Sequence, residues 1–332
     1  MDHNLDGSIL RAFLEAKGKA VSGDTLAGEL GVSRVAIWSR LNRLRKEGFV
    51  FEAAPRKGYR LKATPEGVHP ALVSAYLRQL GCQLPCEVLE ETDSTNSEAE
   101  RRLARGDDVP FAVLARRQTA GRGRLGRQWQ SDSHGNLYLS LAFRPFLPIN
   151  QLGPFTVWMG LAVCEQLEST YGIRPSLKWP NDLLDVSGRK LAGMLTEARV
   201  DADSVRDLVF GLGLNLAGPN KKWSAELQRK AGSLQALTTV KLDISQVAAQ
   251  IISALEKAWE QFSEKKFLPA FRRLALRYDG LKGSTVRVTL RDKPMNGLAE
   301  GIEDDGSLKL RQPSGKVIRV TSGEVTLRKV RA

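Results

Sequence analysis

The sequence is poor in the residues that build disulfide scaffolds, metal clusters and membrane spans. It has three cysteines and three histidines in 332 residues, and the cysteines (Cys82, Cys86 and Cys164) are too few for a disulfide framework. The histidines are far apart in the chain, so the sequence offers no metal-ligand cluster. No stretch is long and apolar enough to cross a membrane, and the N-terminus lacks the pattern of a signal peptide. We therefore expect a cytoplasmic protein with no membrane contact.

Hydrophobic residues make up 42% of the chain, which is typical of a folded protein, and the length is enough for two or three domains. The net charge of +13 is concentrated at the two ends. Residues 1–62 carry 12 basic and 7 acidic side chains, and residues 282–332 carry 11 basic and 6 acidic ones. We therefore expect the ends, rather than the middle, to contact a polyanion or an acidic partner.

The first 62 residues have the pattern of a winged helix-turn-helix. A short helix follows Ser22, whose hydroxyl can cap it, and ends at Gly31. A second, basic helix begins directly after Ser33, with an apolar residue every three or four positions. Residues 49–61 then predict a β-hairpin with a basic Pro-Arg-Lys-Gly tip, which would be the wing.

This pattern predicts DNA binding, with the basic helix in the major groove and the wing tip on phosphate. A protein-interaction or dimerisation module is the alternative, because a winged helix does not by itself determine a function. The basic face of the helix favours DNA. The residues expected near DNA are Ser33, Arg34, Trp38, Arg40, Arg56 and Lys57.

The most unusual stretch is residues 118–129 (QTAGRGRLGRQW), in which three arginines alternate with three glycines. Glycine lets the backbone approach a ligand closely, and arginine offers a planar fork of donors that matches carboxylate and phosphate. The alternative is a disordered segment that binds nucleic acid. Apolar strands predicted at residues 110–115 and 135–142 favour an ordered loop that wraps an anion. It is not a Walker A loop, because no Gly-Lys-Ser/Thr follows the glycines.

Other polar motifs fall at predicted strand ends and turns. Residues 93–96 (DSTN) form a strand-to-helix turn whose side chains either cap the helix or contact a polar ligand. Residues 178–182 (KWPND) offer the mixture that a phosphate with its Mg²⁺ needs, or form an ordinary turn. Residues 188–193 are a hairpin tip leading into a strand, with Lys190 at its start, and residues 211–215 (GLGLN) end another strand with a glycine kink.

Helices are predicted over residues 155–167, 244–262 and 267–276 from their apolar spacing. The tail from residue 281 is β by pattern, with strands over 284–290, 308–310, 317–320 and 325–327 and turns at 291–294 and 304–306. This pattern suggests a small SH3-like barrel.

In this order the winged helix, six central motifs and the β tail resemble the family of bifunctional biotin–protein ligases and biotin-operon repressors. The six motifs are residues 93–96, 121–127, 135–140, 178–182, 189–193 and 211–215. The resemblance covers nearly the whole chain. It implies an α+β protein with a winged helix-turn-helix at residues 1–62, a mixed-sheet biotin/lipoate ligase-type catalytic domain at 63–281 and an SH3-like barrel at 282–332.

The resemblance also implies a reaction. The carboxylate of biotin attacks the α-phosphate of ATP, giving biotinyl-5′-adenylate and pyrophosphate. A lysine of the biotin carboxyl carrier protein of acetyl-CoA carboxylase then takes the biotin. A cationic loop suits this chemistry, because like charges a few ångströms apart cost about 4 kcal/mol at a surface-like dielectric.

The family pattern suggests a role for each matching residue. Arg124 and Lys190 would be catalytic, and Asp182 would be a candidate ligand for Mg²⁺ bound with the nucleotide. The biotin-binding residues would be Ser94, Thr95, Asn96, Gln118, Arg122, Gly123, Arg124 and Lys190. The ATP-binding residues would be Arg124, Arg127, Trp129, Lys178, Asn181, Asp182 and Asn215, with Trp129 stacked on adenine.

As a repressor, the protein would bind the operator of biotin genes as a homodimer that the adenylate, its co-repressor, favours. Two positions depart from the family pattern. Leu125 replaces a further arginine of the best-known member, which weakens the expectation of dimer contacts through the loop. Trp38 stands where a small polar residue would be expected, and it either reads a thymine methyl or packs internally.

Three other functions remain open at this point. They are a biotin ligase that binds no operator, a lipoate–protein ligase, and a ligand-sensing transcription factor with an inactive ligase core. The winged helix and the β tail argue against the lipoate ligase. The arginine and lysine set argues against the inactive core.

Overall fold

The computed structural model describes residues 3–131, 135–218, 223–290 and 293–327. These residues form sheets of two, eight and five strands together with helices, so the chain has the predicted α+β class. Among the described residues, none of the helices combines the length and the apolar character that a membrane crossing requires.

The N-terminal unit is a winged helix-turn-helix, as predicted. Helices α1 (His3–Glu15), α2 (Gly23–Leu30) and α3 (Arg34–Lys46) precede an antiparallel hairpin of β1 (Val50–Ala54) and β2 (Gly58–Ala63). The Ser22 hydroxyl accepts from the Asp24 backbone N–H at the start of α2, and the Ser33 hydroxyl accepts from that of Ala36 in α3. Gly31 ends α2 at φ 64°, a left-handed conformation that glycine adopts without strain.

The winged helix shares its core with the rest of the chain, because α1 packs along α4 (Pro70–Gln79). A Cβ on Gly7 would meet Ser74 Oγ at 2.5 Å, so the close approach of the two helices depends on glycine at this position. Ile9 and Leu10 of α1 belong to the same continuous apolar core as the helices of the central domain.

Eight strands form the central sheet: β3 (Cys86–Thr92), β4 (Phe111–Gln118), β5 (Leu137–Phe143), β6 (Leu147–Pro148), β7 (Ser176–Lys178), β8 (Asp182–Leu184), β9 (Lys190–Asp201) and β10 (Ser204–Leu214). Their order is β3-β4-β5-β10-β9-β8-β7, and β6 pairs with β10. β3 and β4 run parallel, whereas β5, β9 and β10 pair antiparallel, so the sheet is mixed as predicted.

The two faces of this sheet differ. The central domain also contains α5 (Thr95–Arg105), α6 (Phe155–Tyr171), α7 (Ala225–Lys230), α8 (Ile244–Ser263) and α9 (Leu268–Tyr278). Successive residues of β10 alternate between faces: Leu208 and Phe210 join the main core with α6 and α8, whereas Val209 packs with Leu103 of α5. The face beneath α5 is the one on which the polar motifs meet.

The C-terminal unit is a five-stranded antiparallel sheet of β11 (Thr285–Leu290), β12 (Lys293–Ile302), β13 (Leu308–Arg311), β14 (Val317–Val320) and β15 (Glu324–Leu327), in the order β14-β13-β12-β11-β15. Its closure into an SH3-like barrel stays a prediction, and the turn predicted at 291–294 lies partly outside the described residues. The sheet is tied to the central domain by Trp179, which is 1% exposed and whose indole Nε1 donates to Gly306 O at 2.8 Å.

Candidate active site

The floor of the candidate site is a set of glycines on the sheet face beneath α5. Gly193 of β9 pairs with Gly213 of β10, and Gly211 lies two residues earlier on the same face. A Cβ on Gly211 would meet Asn96 Oδ1 at 2.3 Å, and one on Gly213 would meet the Trp129 ring at 2.4 Å. The predicted glycine kink is therefore wrong, because these glycines lie inside the regular strand β10. Their missing side chains make room for Asn96 and Trp129.

Polar side chains meet at one end of this floor, where β4 ends and α5 begins. Gln118 Oε1 accepts from the Thr95 backbone N–H at 2.8 Å and from Thr95 Oγ1 at 3.2 Å. Ser140 Oγ lies 2.7 Å from Thr95 Oγ1 and 2.5 Å from Asn96 Oδ1. Ser94, at the N-cap of α5, makes no capping hydrogen bond to any described residue, although it is 3% exposed. The capping alternative for residues 93–96 is therefore not supported for Ser94.

Asn96 is held by the protein on both sides of its amide. Its Nδ2 donates to Glu197 Oε2 at 2.7 Å and to Leu195 O at 3.4 Å, while its Oδ1 faces Ser140. The residue is 4% exposed. In this arrangement Asn96 shapes the wall of the polar end.

The glycine-arginine loop is folded as a tight hairpin beside the floor. Gly123 N donates to Arg127 O at 2.7 Å, and Trp129 N donates to Gly121 O at 2.9 Å. A Cβ on Gly121 would meet Trp129 O at 2.5 Å, so a side chain there would force the two arms of the hairpin apart. Leu125 is at the tip, with φ 57° and 72% exposure. This geometry supports the ordered loop over the disordered alternative.

Arg122 turns from this hairpin toward two carboxylates. Its Nη2 lies 2.8 Å from Glu197 Oε2 on β9 and 3.0 Å from Glu100 Oε1 on α5. Because Glu197 also accepts from Asn96, one carboxylate joins the loop to the polar end of the site.

Arg124 and Arg127 contact the β7–β8 hairpin and the C-terminal sheet. Arg124 Nη1 donates to Asn181 Oδ1 at 3.0 Å and to Gly323 O at 3.4 Å, and burial lowers the pKa of its guanidinium below the ordinary value. Arg127 forms an ion pair with Glu324 of β15. The loop therefore touches both the β7–β8 hairpin and the C-terminal sheet.

A second polar cluster lies farther along the floor, beside Gly193. Lys190 Nζ lies 2.7 Å from Asp182 Oδ1 and 5.1 Å from the centre of the Trp129 ring. Asn215 Nδ2 donates to Lys190 O at 3.0 Å. Lys178 is the cross-strand neighbour of Asp182. The structure thus brings most of the predicted phosphate and nucleotide residues together, whereas Arg127 pairs with Glu324.

A Mg²⁺ ion carried by a nucleotide fits this cluster. Within the described part of the chain, no group of three or more His, Cys, Asp or Glu side chains is placed to hold a metal ion by itself. Asp182 supplies one carboxylate beside Lys190. Proteins commonly hold Mg²⁺ through one or two carboxylates together with substrate phosphates, so Asp182 would be the residue to hold it.

The surface predicted to face DNA is exposed at the start of α3 and at the wing. Ser33 and Arg34 are exposed, and so are Arg56 and Lys57 in the turn between β1 and β2. Trp38 is 55% exposed, which excludes internal packing for its side chain.

Three other basic residues of α3, Arg40, Arg43 and Arg45, contact the protein itself, whereas Lys46 is exposed. Arg40 Nη1 lies 3.6 Å from Asp6 Oδ1, and Arg43 also pairs with this fully buried carboxylate of α1. Arg45 lies over the Tyr59 ring, 5.5 Å from its centre. A buried carboxylate needs such compensation, so part of the charge that was interpreted as a DNA-facing surface joins α3 to α1 instead.

Sequence reasoning missed Ser140 and Glu197, and it also missed Glu100, which contacts Arg122 away from the polar end of the site. Two of these had a usable signal: Glu197 lies four residues after Gly193 in one strand and so shares its face, and Glu100 is four residues after Asn96 in one helix. Ser140 is the last residue of the motif at 135–140, and its residue type alone does not indicate its position beside Thr95 and Asn96.

Comparison with known proteins agrees with this architecture. Residues 88–215 match the model of the biotin/lipoate A/B protein ligase family, residues 8–60 match an HTH domain, and residues 283–328 match the biotin protein ligase C-terminal domain.

Similar proteins cover nearly the whole chain. It is 31% identical to the bifunctional ligase/repressor BirA of Bacillus spizizenii (98% of this chain, 100% of that protein) and 32% identical to that of Escherichia coli (95% of each). A structure of biotin protein ligase from Aquifex aeolicus in complex with biotin and ATP matches at 30% identity and a TM-score of 0.61, over 74% of this chain and 98% of that one. The chain therefore belongs to the biotin/lipoate A/B protein ligase family, among the bifunctional ligase/repressors.

Proposed function

We propose that this protein activates biotin with ATP, giving biotinyl-5′-AMP and pyrophosphate, and then transfers biotin to a lysine of the biotin carboxyl carrier protein of acetyl-CoA carboxylase. The observation that carries this proposal is the single glycine floor, which runs from the polar end at Thr95 and Gln118 to the cationic cluster at Lys190. A substrate with a polar head and a carboxylate tail fits that polarity. The similar Aquifex aeolicus ligase, whose structure contains biotin and ATP, supports the choice of substrates.

The first step brings two anions together. A carboxylate oxygen of biotin attacks the α-phosphorus of ATP, and the bond from that phosphorus to the pyrophosphate oxygen breaks. Charge develops on the phosphoryl oxygens and on the leaving pyrophosphate, so fixed cations stabilise this step more than a nucleophilic side chain would. Lys190 and Arg124 supply them by exchanging Asp182 and Asn181 for substrate oxygens. Mg²⁺ bound with the nucleotide would neutralise further phosphate charge, and Asp182 would hold it.

The second step needs only an acceptor amine. The neutral ε-amine of a lysine attacks the acyl carbon of the adenylate, AMP leaves, and the amine loses a proton. The product is an amide between biotin and the acceptor domain.

The remaining site residues receive their predicted positions in this proposal. Ser94, Thr95 and Gln118 would contact the biotin ring system, with Asn96 as its wall. Arg122 and Gly123 would cover the biotin chain. Trp129 would stack on adenine, and the nucleotide would also contact Arg127, Lys178, Asn181 and Asn215. The three domains would divide at residues 62/63 and 281/282.

We also propose that the winged helix represses biotin genes. The exposed residues Ser33, Arg34, Trp38, Arg56 and Lys57 would contact operator DNA. Biotinyl-5′-AMP would promote a homodimer, so that two winged helices reach two half-sites. The cytoplasm is the proposed compartment, and the free thiols of Cys82, Cys86 and Cys164 agree with it.

One assay tests the enzymatic proposal. The protein is incubated with ATP and Mg²⁺ and with either biotin or lipoate, and pyrophosphate release is measured. We expect release with biotin. Release with lipoate alone would identify a lipoate ligase, and no release with either acid would identify an inactive core.

A gel shift tests the regulatory proposal. The protein is titrated onto the promoter of its own biotin genes with and without biotinyl-5′-AMP, at several salt concentrations. We expect tighter binding with the adenylate and a steep loss of affinity with salt. Equal affinity in both arms would contradict repression through this co-repressor.

A further inference from the structure

Glu197 occupies the point at which the polar end of the site meets the glycine-arginine loop. Its Oε2 accepts from Asn96 Nδ2 at 2.7 Å, and the same oxygen pairs with Arg122 Nη2 at 2.8 Å. The side chain is 29% exposed and extends from the floor side of β9. One carboxylate therefore orients two groups that belong to different elements.

The first consequence concerns the direction of hydrogen bonds in the polar end. An ionised carboxylate only accepts, so Glu197 requires the NH₂ group of Asn96 on its side and turns Asn96 Oδ1 toward Ser140. The Leu195 carbonyl favours the same orientation, but from 3.4 Å. Ser140 has a single hydroxyl proton, and Asn96 Oδ1 at 2.5 Å takes it.

The Thr95 hydroxyl is then left as an acceptor. Its own proton points to Gln118 Oε1 at 3.2 Å, and Ser140 Oγ lies 2.7 Å from the Thr95 oxygen. Its free lone pair suits a ligand that carries N–H groups, such as the cyclic urea of biotin. The dithiolane ring of lipoate has no such donor. A carboxylate separated from the ligand by Asn96, Ser140 and Thr95 thus sets what the pocket recognises.

The second consequence concerns the loop. Arg122 is held by Glu197 and by Glu100, and only Glu197 also contacts the polar end. Holding Arg122 keeps the hairpin against the floor, over the space that the biotin chain would occupy.

We infer that Glu197 is a positioning residue for biotin: it sets the hydrogen-bond direction through Asn96, Ser140 and Thr95, and it anchors Arg122 of the loop. The inference rests on the proposed biotin ligase activity and extends it to a residue that touches no substrate.

The test compares the same Glu→Gln substitution at the two carboxylates that contact the Arg122 guanidinium. Glu197→Gln removes the carboxylate from both Asn96 and Arg122, whereas the matched control Glu100→Gln removes one from Arg122 alone. Pyrophosphate release is measured with biotin and ATP titrated separately. We expect Glu197→Gln to raise the KM for biotin about tenfold and to change the KM for ATP less than about twofold. Glu100→Gln should change both by less than about twofold.

A double variant separates positioning from general damage. Asn96→Asp alone places two carboxylates side by side and should weaken biotin binding more than Glu197→Gln does. In the double variant with Glu197→Gln, one carboxylate oxygen at position 96 accepts from Ser140. The other accepts from the new side-chain amide at position 197 on β9. We expect the KM for biotin of the double variant to be at most about threefold higher than that of the Glu197→Gln variant.

The outcomes are distinct. Equal KM values for biotin in the Glu197→Gln and Glu100→Gln variants, or a double variant as weak as Asn96→Asp alone, would overturn the inference. Thermal unfolding of each variant identifies any variant that does not fold. If the Asn96→Asp variant does not fold, the comparison of the Glu197→Gln and Glu100→Gln variants tests the inference by itself. An unmodified protein that releases no pyrophosphate with biotin would instead overturn the proposed function.

Discussion

Alanine at position 211 is the most direct test of the glycine floor. Gly211 lies within the extended strand β10, whose backbone an alanine can adopt, so the effect of the substitution comes from its Cβ alone. That Cβ would lie 2.3 Å from Asn96 Oδ1 and 3.0 Å from both Asn96 Cγ and Nδ2. All three are atoms of one short, buried side chain with bonds on both sides, so Asn96 cannot move without losing Ser140 or Glu197.

The structure gives the magnitude. A buried hydrogen bond to a neutral group contributes about 0.5–1.5 kcal/mol and one to a charged group about 1.5–3 kcal/mol. Forcing an extra methyl group into a packed site costs about 1–3 kcal/mol. We therefore expect Gly211→Ala to raise the KM for biotin about 30-fold and to lower the free energy of unfolding by about 2 kcal/mol.

The assay is pyrophosphate release with each substrate titrated in turn. The matched control is Gly213→Ala on the same strand and face, where a Cβ would meet the Trp129 ring at 2.4 Å instead of Asn96. It should raise the KM for ATP more than the KM for biotin. If Gly211→Ala binds biotin as the unmodified protein does, Asn96 does not form the wall of the biotin site.

Three further predictions concern separate parts of the molecule. Lys190→Met should slow single-turnover adenylate formation by about 100-fold, because a fixed cation at the phosphoryl group is lost; an unchanged rate would remove Lys190 from the mechanism. Gly28→Ala, at an exposed position of α2 with open space around it, should raise the free energy of unfolding by about 0.5–1 kcal/mol, and a lower thermal midpoint would contradict this. Hydrogen bonds from Arg277 and Tyr278 lower the pKa of Glu168 from 4.5 to about 2, so the stability that this carboxylate contributes is present above pH 4.5 and is lost as the pH falls toward 2. Glu168→Gln should therefore lower the unfolding midpoint at pH 7 and leave it unchanged near pH 2, as thermal melts across that range would show.

Local signals account for what the sequence predicted correctly. Ser22, Gly31 and Ser33 act on the backbone within three residues, so the helix-turn-helix was readable from them directly. Strand β12 was not predicted, because residues 293–302 contain a proline and two glycines, which are unfavourable in a strand. A Cβ on Gly297 would meet Arg311 O at 2.6 Å, so glycine is required there by a neighbouring strand that the local pattern does not reveal.

The same limit applies to the site. The polar residues at strand ends were identifiable by type, since carboxylate and phosphate ligands need arginine, lysine and amides. Their partners were not, because the hydrogen bond between Asn96 and Glu197 joins residues 101 positions apart. The pairing of Arg40 with Asp6 is likewise a property of how α1 and α3 pack, and it changes the interpretation of a basic helix.

The bond between the Trp179 indole and Gly306 O has a consequence for the end of the chain. Deleting the C-terminal sheet would remove the acceptor of this bond, at the hairpin that also holds Asn181 and Asp182, and the loss of such a hydrogen bond costs about 0.5–1.5 kcal/mol. The C-terminal unit therefore supports the hairpin that carries the proposed nucleotide-binding residues. Substitutions in its turn at residues 303–306 should therefore raise the KM for ATP, although no residue of that turn is proposed to contact the nucleotide.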